Sequence, residues 1–191
     1  MAETEQETLE ERAEQAARRR FVLANVRQYP DPVLRMKARE VADFDEGLAQ
    51  LVERMLQVMQ GSQGVGLAAP QLGVLRRVLV HQADEEAPPF ALVNPTIVAR
   101  SEELDLMEEG CLSLGAAGVR VEVERPLSVT VEARSPSGEP LSLTAEGLEA
   151  RVLQHEIDHL DGVLIIDRTT SEQRRVALGQ LRPEPALGAL A

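Results

Sequence analysis

The sequence predicts one domain of mixed helix and strand built on an aliphatic core. Three observations point there. Leu48, Leu51, Val52, Met55, Leu56 and Met59 repeat at helical spacing along one face. β-Branched runs separated by turn residues fill the middle of the chain, from about 75 to 145. A second helical pattern follows over about 148–160 and carries His155-Glu156-Ile157-Asp158-His159. At 191 residues, with no internal repeat and no signal of a second domain, the chain is long enough for one domain with a real core.

Taken in order, residues 1–20 are a polar extension, with six Glu ahead of Arg18-Arg19-Arg20. Acid first and base last suits a helix dipole. Leu9 is the only large aliphatic there after Met1, so a frayed or exposed helix without chemistry is expected, followed by a single domain over 21–191. The apolar run at 21–26 is broken by Tyr29-Pro30-Asp31-Pro32. The first strong helix takes Asp45 as its N-cap and ends at Gly61. The stretch GVGLAAPQLGV at 64–74 places two glycines two apart, where backbone can approach a ligand closely. Pro70 presets Gln71, whose amide nitrogen offers two hydrogen bonds. No strand precedes this stretch and no Lys-Ser/Thr follows it, so it is no phosphate loop; the plainer reading is a tight turn into a strand over 76–81. Residues 75–81 and 91–98 read as strands around an exposed acidic loop, with His81 solvated or at a strand end. Further strands are expected at 119–123, 127–133 and 141–145. The helix over 148–160 has Leu148, Val152, Leu153 and Leu160 on its apolar side and stops at Gly162. Ser171 is expected to cap a last helix over 172–181, ended by Arg182-Pro183-Glu184-Pro185.

The chemistry concentrates at HEIDH. On a helix, His155 and His159 lie one turn apart on one face, the spacing that grips a single metal ion. Glu156 follows the first His and can act as general base on water at the metal. A catalytic site needs a third ligand. The long zinc-protease pattern would place a His six residues after the second, where Ile165 stands. Glu172 and Glu184 lie among polar or proline-bearing residues, and His81 is a further candidate. Cys111, the only cysteine, is the better one, in Glu109-Gly110-Cys111-Leu112-Ser113. It would complete a Cys/His/His set with one open position. A lone thiol forms no internal disulfide; its other readings are a buried small hydrophobe or a nucleophile served by a His.

Composition excludes several functions. Aromatic residues are 2% of the chain, with no Trp, one Tyr and three Phe, so stacking on bases is not expected. The formal net charge of −12 opposes binding to a phosphate backbone. No apolar run reaches membrane-spanning length and no signal region opens the chain, so a cytoplasmic protein without membrane or nucleic-acid partners is expected. A reducing compartment also suits an unpaired thiol.

GVGLAAPQ at 64–71, EGCLS at 109–113 and QHEIDHL at 154–160 stand in this order, and together the chain resembles the peptide deformylase family. The resemblance runs from about Val26 to Arg182 and takes in QYPDPVLR, FDEGL, DGVLIIDR and RRVALGQLR. It implies an α+β fold, with antiparallel sheets packed around a central metal-binding HExxH helix and a C-terminal helix. It implies a metal-dependent hydrolase that removes the N-formyl group from the N-terminal formylmethionine of nascent polypeptides and releases formate. Cys111, His155 and His159 match the metal ligands, Glu156 the general acid/base, and Gln71 with the backbone N–H of Leu112 the oxyanion donors. Val65, Gly66 and Gly110 match backbone positions that pair with the substrate as an added strand. Leu148 and Val152 match the pocket for the methionine side chain. The implied cofactor is one divalent ion, Fe(II) foremost, with Zn(II), Ni(II) or Co(II) as alternatives. The implied partners are N-formyl-Met peptides, with docking on the ribosome left open. One departure stands out: where the family places a hydrophobic residue and then Pro, Leu114 is followed here by Gly115-Ala116-Ala117-Gly118. The nearest match to an Arg at the substrate entrance is Arg120. A different metallopeptidase with another third ligand, and a non-enzymatic protein with a vestigial site, are the competing readings.

Overall fold

The computed structural model describes residues 24–84 and 86–181, together with Ala13, Glu14, Ala16, Ala17, Arg20, Phe21 and Val22. Most of the 1–20 extension and the expected break at 182–185 lie outside these residues. The described members of the extension are helical and exposed. Among the described residues the α-helices and strands from Glu46 onward are α1 (Glu46–Gly61), β1 (Gly66–Ala68), β2 (Val78–His81), β3 (Phe90–Arg100), β4 (Leu104–Gly110), β5 (Arg120–Pro126), β6 (Ser128–Arg134), β7 (Pro140–Glu146), α2 (Gly147–Leu160) and α3 (Ser171–Gln180). Five strands form one antiparallel sheet in the order β1-β2-β3-β6-β7, and β4 pairs with β5 in a separate antiparallel ribbon. The fold is α+β.

α1 forms where the periodicity places it. Asp45 accepts a hydrogen bond from the Leu48 N–H at 2.9 Å and satisfies one free donor of the first turn. Leu48, Val52, Met55, Val58 and Met59 are buried. They pack on Leu67, Val78, Val80 and Val93. The alternate residues Leu79 and Leu92 fall in a second cluster with Leu153, Ile157 and Leu160 of α2 and with Val129 and Val131 of β6. All four residues of β2 are therefore buried, α1 covering one face and α2 the other. A third cluster joins Leu34, Cys111, Leu114, Val121 and Val123 to Leu164, Ile166 and Ala177. Each fully buried aliphatic contributes roughly 1.5–3 kcal/mol.

α2 follows the last strand and packs against β1, β2, β3, β5, β6 and β7. From Ala150 to Leu160 only His155 is not fully buried. Polar side chains there must find partners inside the protein.

The structure differs from the sequence expectations at four places. β4 had no element assigned to it; its outward Leu104 and Leu106 and buried Glu109 invert the usual pattern. The glycine-rich stretch contains the short strand β1 and a 3-10 turn, Ala69–Leu72, rather than a turn alone. His81 is a strand-end residue but is buried, not solvated, because that end of β2 lies under α2. The last helix is capped by Thr170, not Ser171: its hydroxyl accepts from the Gln173 N–H at 3.3 Å. Among the described residues no helix is long and apolar enough to cross a membrane.

Candidate metal centre

Three elements bring the polar residues together. α2 supplies His155 and His159, whose rings meet edge to face with centroids 5.0 Å apart. β4 ends at Gly110, and Cys111 follows with its Sγ 3.2 Å from His159 Nε2. One donor atom from each of Cys111, His155 and His159 lies within 4.8 Å of the other two. A tetrahedral ion with these ligand types would hold the donor atoms roughly 3.4–3.6 Å apart. The three side chains therefore fit a single ion with small adjustment, and thiolate with two imidazoles is a set suited to borderline divalent metals.

Glu109, the residue before Gly110, orients the first histidine. His155 Nδ1 lies 3.0 Å from Glu109 Oε2. A carboxylate only accepts, so Nδ1 carries the proton and the Nε2 lone pair is left for a metal. Glu109 also accepts from Arg125 Nε at 2.6 Å and Nη2 at 3.0 Å, and from Arg151 Nη1 at 2.7 Å. Arg125 reaches on to Asp158 at 2.8 Å, and Asp158 accepts from Arg168 at 2.5 and 3.1 Å. Burial opposes ionisation of Glu109, but hydrogen bonds from His155 and Arg125 outweigh it and hold the carboxyl well below the usual range. Arg125 is likewise raised, against burial, by Glu109 and Asp158. Each buried charge has at least two partners, the condition under which such a network is tolerated.

The two histidines are pushed apart electrostatically. Burial disfavours the His155 cation, but hydrogen bonds to Cys111 and Glu109 and the nearby Glu156 charge raise it well above the ordinary histidine value, so an ion bound at Nε2 would displace a proton from it. Burial and the positive His155 and Arg125 keep His159 well below it, so His159 is neutral and a lone-pair donor.

Glu156 points toward β1. A Cβ built on Gly66 would fall 2.4 Å from its Oε1. Its Oε2 is buried without a hydrogen-bond partner. Burial raises its carboxyl to about 7, against the pull of His155 and Arg125. Gln71 lies in the 3-10 turn Ala69–Leu72. Its Oε1 accepts from the Ala68 N–H at 2.8 Å, which turns Nε2 toward Cys111 Sγ at 3.9 Å and Ser113 Oγ at 3.3 Å. Leu112 opens the 3-10 segment Leu112–Ala117, where a first N–H has no acceptor within its own turn.

A cavity of about 400 Å³ opens onto this cluster. Cys111, His155, Glu156, Gln71 and Leu112 line it. Val65, Gly66 and Gly110 line it as well, as do Leu148 and Val152 of α2. Of the residues that match the family's site, His159 is buried and does not line it, and His81, the other histidine weighed as a ligand, lies outside both the cavity and the cluster. Arg120 and Gly118 reach the rim, whereas Leu114 is fully buried in the core. Sequence reasoning missed Glu109, Arg125, Arg151 and Asp158 as orienting groups. Glu109 and Asp158 lie inside the two motifs, and Arg151 sits one turn before His155, which was the available signal.

A sequence model of the polypeptide deformylase family matches residues 23–175. The chain is 47% identical over 145 residues to a peptide deformylase of Picosynechococcus, covering 74% of this chain and 76% of that one. It is 46% identical over 148 residues to a peptide deformylase of Natranaerobius thermophilus, covering 78% and 93%. The crystal structure of peptide deformylase 1B of Arabidopsis thaliana superposes with a TM-score of 0.78 at 41% identity, covering 82% of this chain and 87% of that one.

Proposed function

The chain belongs to the polypeptide deformylase family, metal-dependent hydrolases that remove the N-formyl group from nascent polypeptides, and we propose how its own residues carry that reaction. The observation that carries the reading is the convergence of Cys111, His155, Glu156 and Gln71 on a single cavity beside the Cys111, His155 and His159 cluster. Cys111, His155 and His159 hold the ion, with α2 as the central metal-binding helix. We take Fe(II) as the working ion, with Zn(II), Ni(II) or Co(II) able to replace it on the same ligands. The ion supplies Lewis acidity, which acidifies water and polarises the formyl carbonyl.

Glu156 takes a proton from the water that attacks the formyl carbon, then gives it to the leaving amine as the C–N bond breaks. The products are formate and a free N-terminus. Gln71 Nε2 and the Leu112 N–H donate to the oxygen as negative charge builds on it; one such donor is worth about 10²–10³ in rate. β1 is the edge strand of the five-stranded sheet, so the backbone at Val65 and Gly66, apart from the Val65 carbonyl held by Gln82, is placed to pair with an extended peptide, with Gly110 as the further backbone partner. Leu148 and Val152 receive the methionine side chain. Residues 21–191 are the catalytic domain, and 1–20 take no part in the chemistry. The substrate arises on the ribosome, which places the enzyme in the cytoplasm with nascent chains as partners, and with no call for membrane or nucleic-acid binding.

Glu156→Gln tests the proposal. It should keep bound metal and lose at least about 10²-fold in kcat, because an amide cannot take the proton. Near-normal formate release by the metal-loaded variant would refute the role.

A further inference from the structure

His81 plays no part in the reaction described above, yet it is 2% exposed and neither ring nitrogen has a hydrogen-bond partner. A buried imidazole left this way is an unfavourable arrangement unless a second state satisfies it. The ring stacks on Phe90, its register partner on β3, with centroids 5.8 Å apart. On the opposite side His81 is the register partner of Gly66 in β1, and the next residue, Gln82, donates its N–H to the Val65 carbonyl at 2.8 Å. α2 brings a carboxylate close to it: Glu149 Oε1 lies 4.0 Å from His81 Nδ1. Glu149 stands in the first turn of α2, beside Leu148. Val65, Gly66 and Leu148 all line the cavity. His81 and Glu149 do not line it, but each adjoins a residue that does: Gly66 by register and Leu148 in sequence.

We propose that His81 and Glu149 are a positioning pair that sets the width of the substrate side-chain pocket: on taking up a proton, His81 donates through Nδ1 to the Glu149 carboxylate and fixes the first turn of α2, and Leu148 with it, against β1. The proposal rests on the reading that Leu148 receives the substrate side chain. Besides Glu149, α2 brings Glu156, whose carboxylate lies against Gly66, the register partner of His81, and belongs to the same acidic field. β1 brings no titratable side chain, and β3 brings Phe90. Alternation along β2 puts His81 with Leu79 on the α2 face, so α1, which covers Val78 and Val80, does not face it. On α2, Arg151 is turned onto Glu109 and Asp105. The loop after β2 carries Asp84, whose carboxylate accepts from the Glu86 N–H, and Glu86 itself; both add to the acidic field. Burial holds the imidazole below its ordinary value, so the pair forms on the acid side of neutrality.

The test uses the full, metal-loaded chain, which contains three histidines. The His81 ring is titrated by NMR in the wild type and in Glu149→Gln. The expected result is a fall in the His81 midpoint of roughly one pH unit when the carboxylate is removed. Kinetics with a formyl-Met peptide at about pH 5.5 and 7.5 form the second arm. KM at the acid pH should rise several-fold in Glu149→Gln and in His81→Phe, with kcat following the wild-type profile. An unmoved His81 midpoint, or a Glu149→Gln KM equal to that of the wild type at both values, would overturn the proposal. The Glu149 side chain is 39% exposed, so this variant decides the matter even where His81→Phe fails to fold. Leu148→Ala is the control for the pocket itself: an unchanged KM there would sink the pocket reading, while the NMR shift judges the pairing separately.

Discussion

Replacing Gly66 by Ala tests how tightly the active site is built around Glu156. The added Cβ would lie 2.4 Å from Glu156 Oε1 and 2.9 Å from both Cδ and Cγ. Ordinary contact begins near 3.4 Å, so the methyl group intrudes by about 1 Å. The backbone at 66 is not in the left-handed region, so Ala carries no conformational penalty there and the collision is the whole effect. β1 cannot retreat easily: Gly66, Leu67 and Ala68 are paired with β2, and the Val65 carbonyl is held by Gln82. The carboxylate must move instead, and the contact with Cγ means that the whole side chain moves, not only its tip. A misplacement of about 1 Å in a reacting group costs roughly 10²-fold, or about 2.7 kcal/mol of barrier. The assay is kcat for formate release, with metal content and circular dichroism measured on the same samples. Metal and fold should be retained, because none of the three proposed ligands is touched. Gly64→Ala is the comparison: its Cβ would come no nearer than 3.2 Å to the Leu112 side chain, with the Gly66 and Met59 carbonyls in ordinary contact at 3.5 and 3.6 Å, and should cost far less. A Gly66→Ala enzyme with full metal and a kcat within about twofold of the wild type would refute the reasoning.

Two further outcomes follow from the buried charges. Glu109→Gln removes the carboxylate that accepts from His155, Arg125 and Arg151, and should weaken metal binding by roughly 10–100-fold in a chelator competition; an unchanged competition curve would show that His155 does not need Glu109. Asp167 accepts from the Leu164 N–H at 2.9 Å and pairs with Arg35 and Arg174. Burial opposes its ionisation, but the Arg35 hydrogen bond and the Leu164 N–H lower its pKa below the ordinary 3.8. A folded-state value below the unfolded one stabilises above the unfolded value, and that contribution is lost as pH falls through the folded one. Asp167→Asn should therefore destabilise at neutral pH, with a penalty that shrinks toward acid; urea midpoints that differ equally at both ends would contradict this.

The parts of the molecule legible in the sequence are those where one residue type or one period has few other uses. HEIDH places two of only three histidines one helical turn apart, and Cys111 is the only thiol, so the metal cluster could be named before any geometry was known. α1 could be read because its buried residues keep the 3.6 period and Asp45 offers a cap. β4 could not, because Leu104 and Leu106 face outward while Glu109 faces in, and pattern reading assumes the reverse. The same assumption hid the network of Glu109, Arg125, Arg151 and Asp158: charged residues read as surface until their partners are seen across β4, β5 and α2. The sequence marks Gly66 as a place where backbone can approach closely, but the group it makes room for, Glu156, lies 90 residues away in sequence, a relation that only the packing of β1 on α2 reveals.

The central claim is that Cys111, His155 and His159 hold the ion on which deformylation depends. The most direct measurement is formate release from a formyl-Met peptide by anaerobically purified wild type and Cys111→Ala, with metal content determined on the same samples. The account predicts one ion per chain and turnover in the wild type, and loss of both in the variant. A Cys111→Ala protein that keeps its metal and releases formate at the wild-type rate would contradict it.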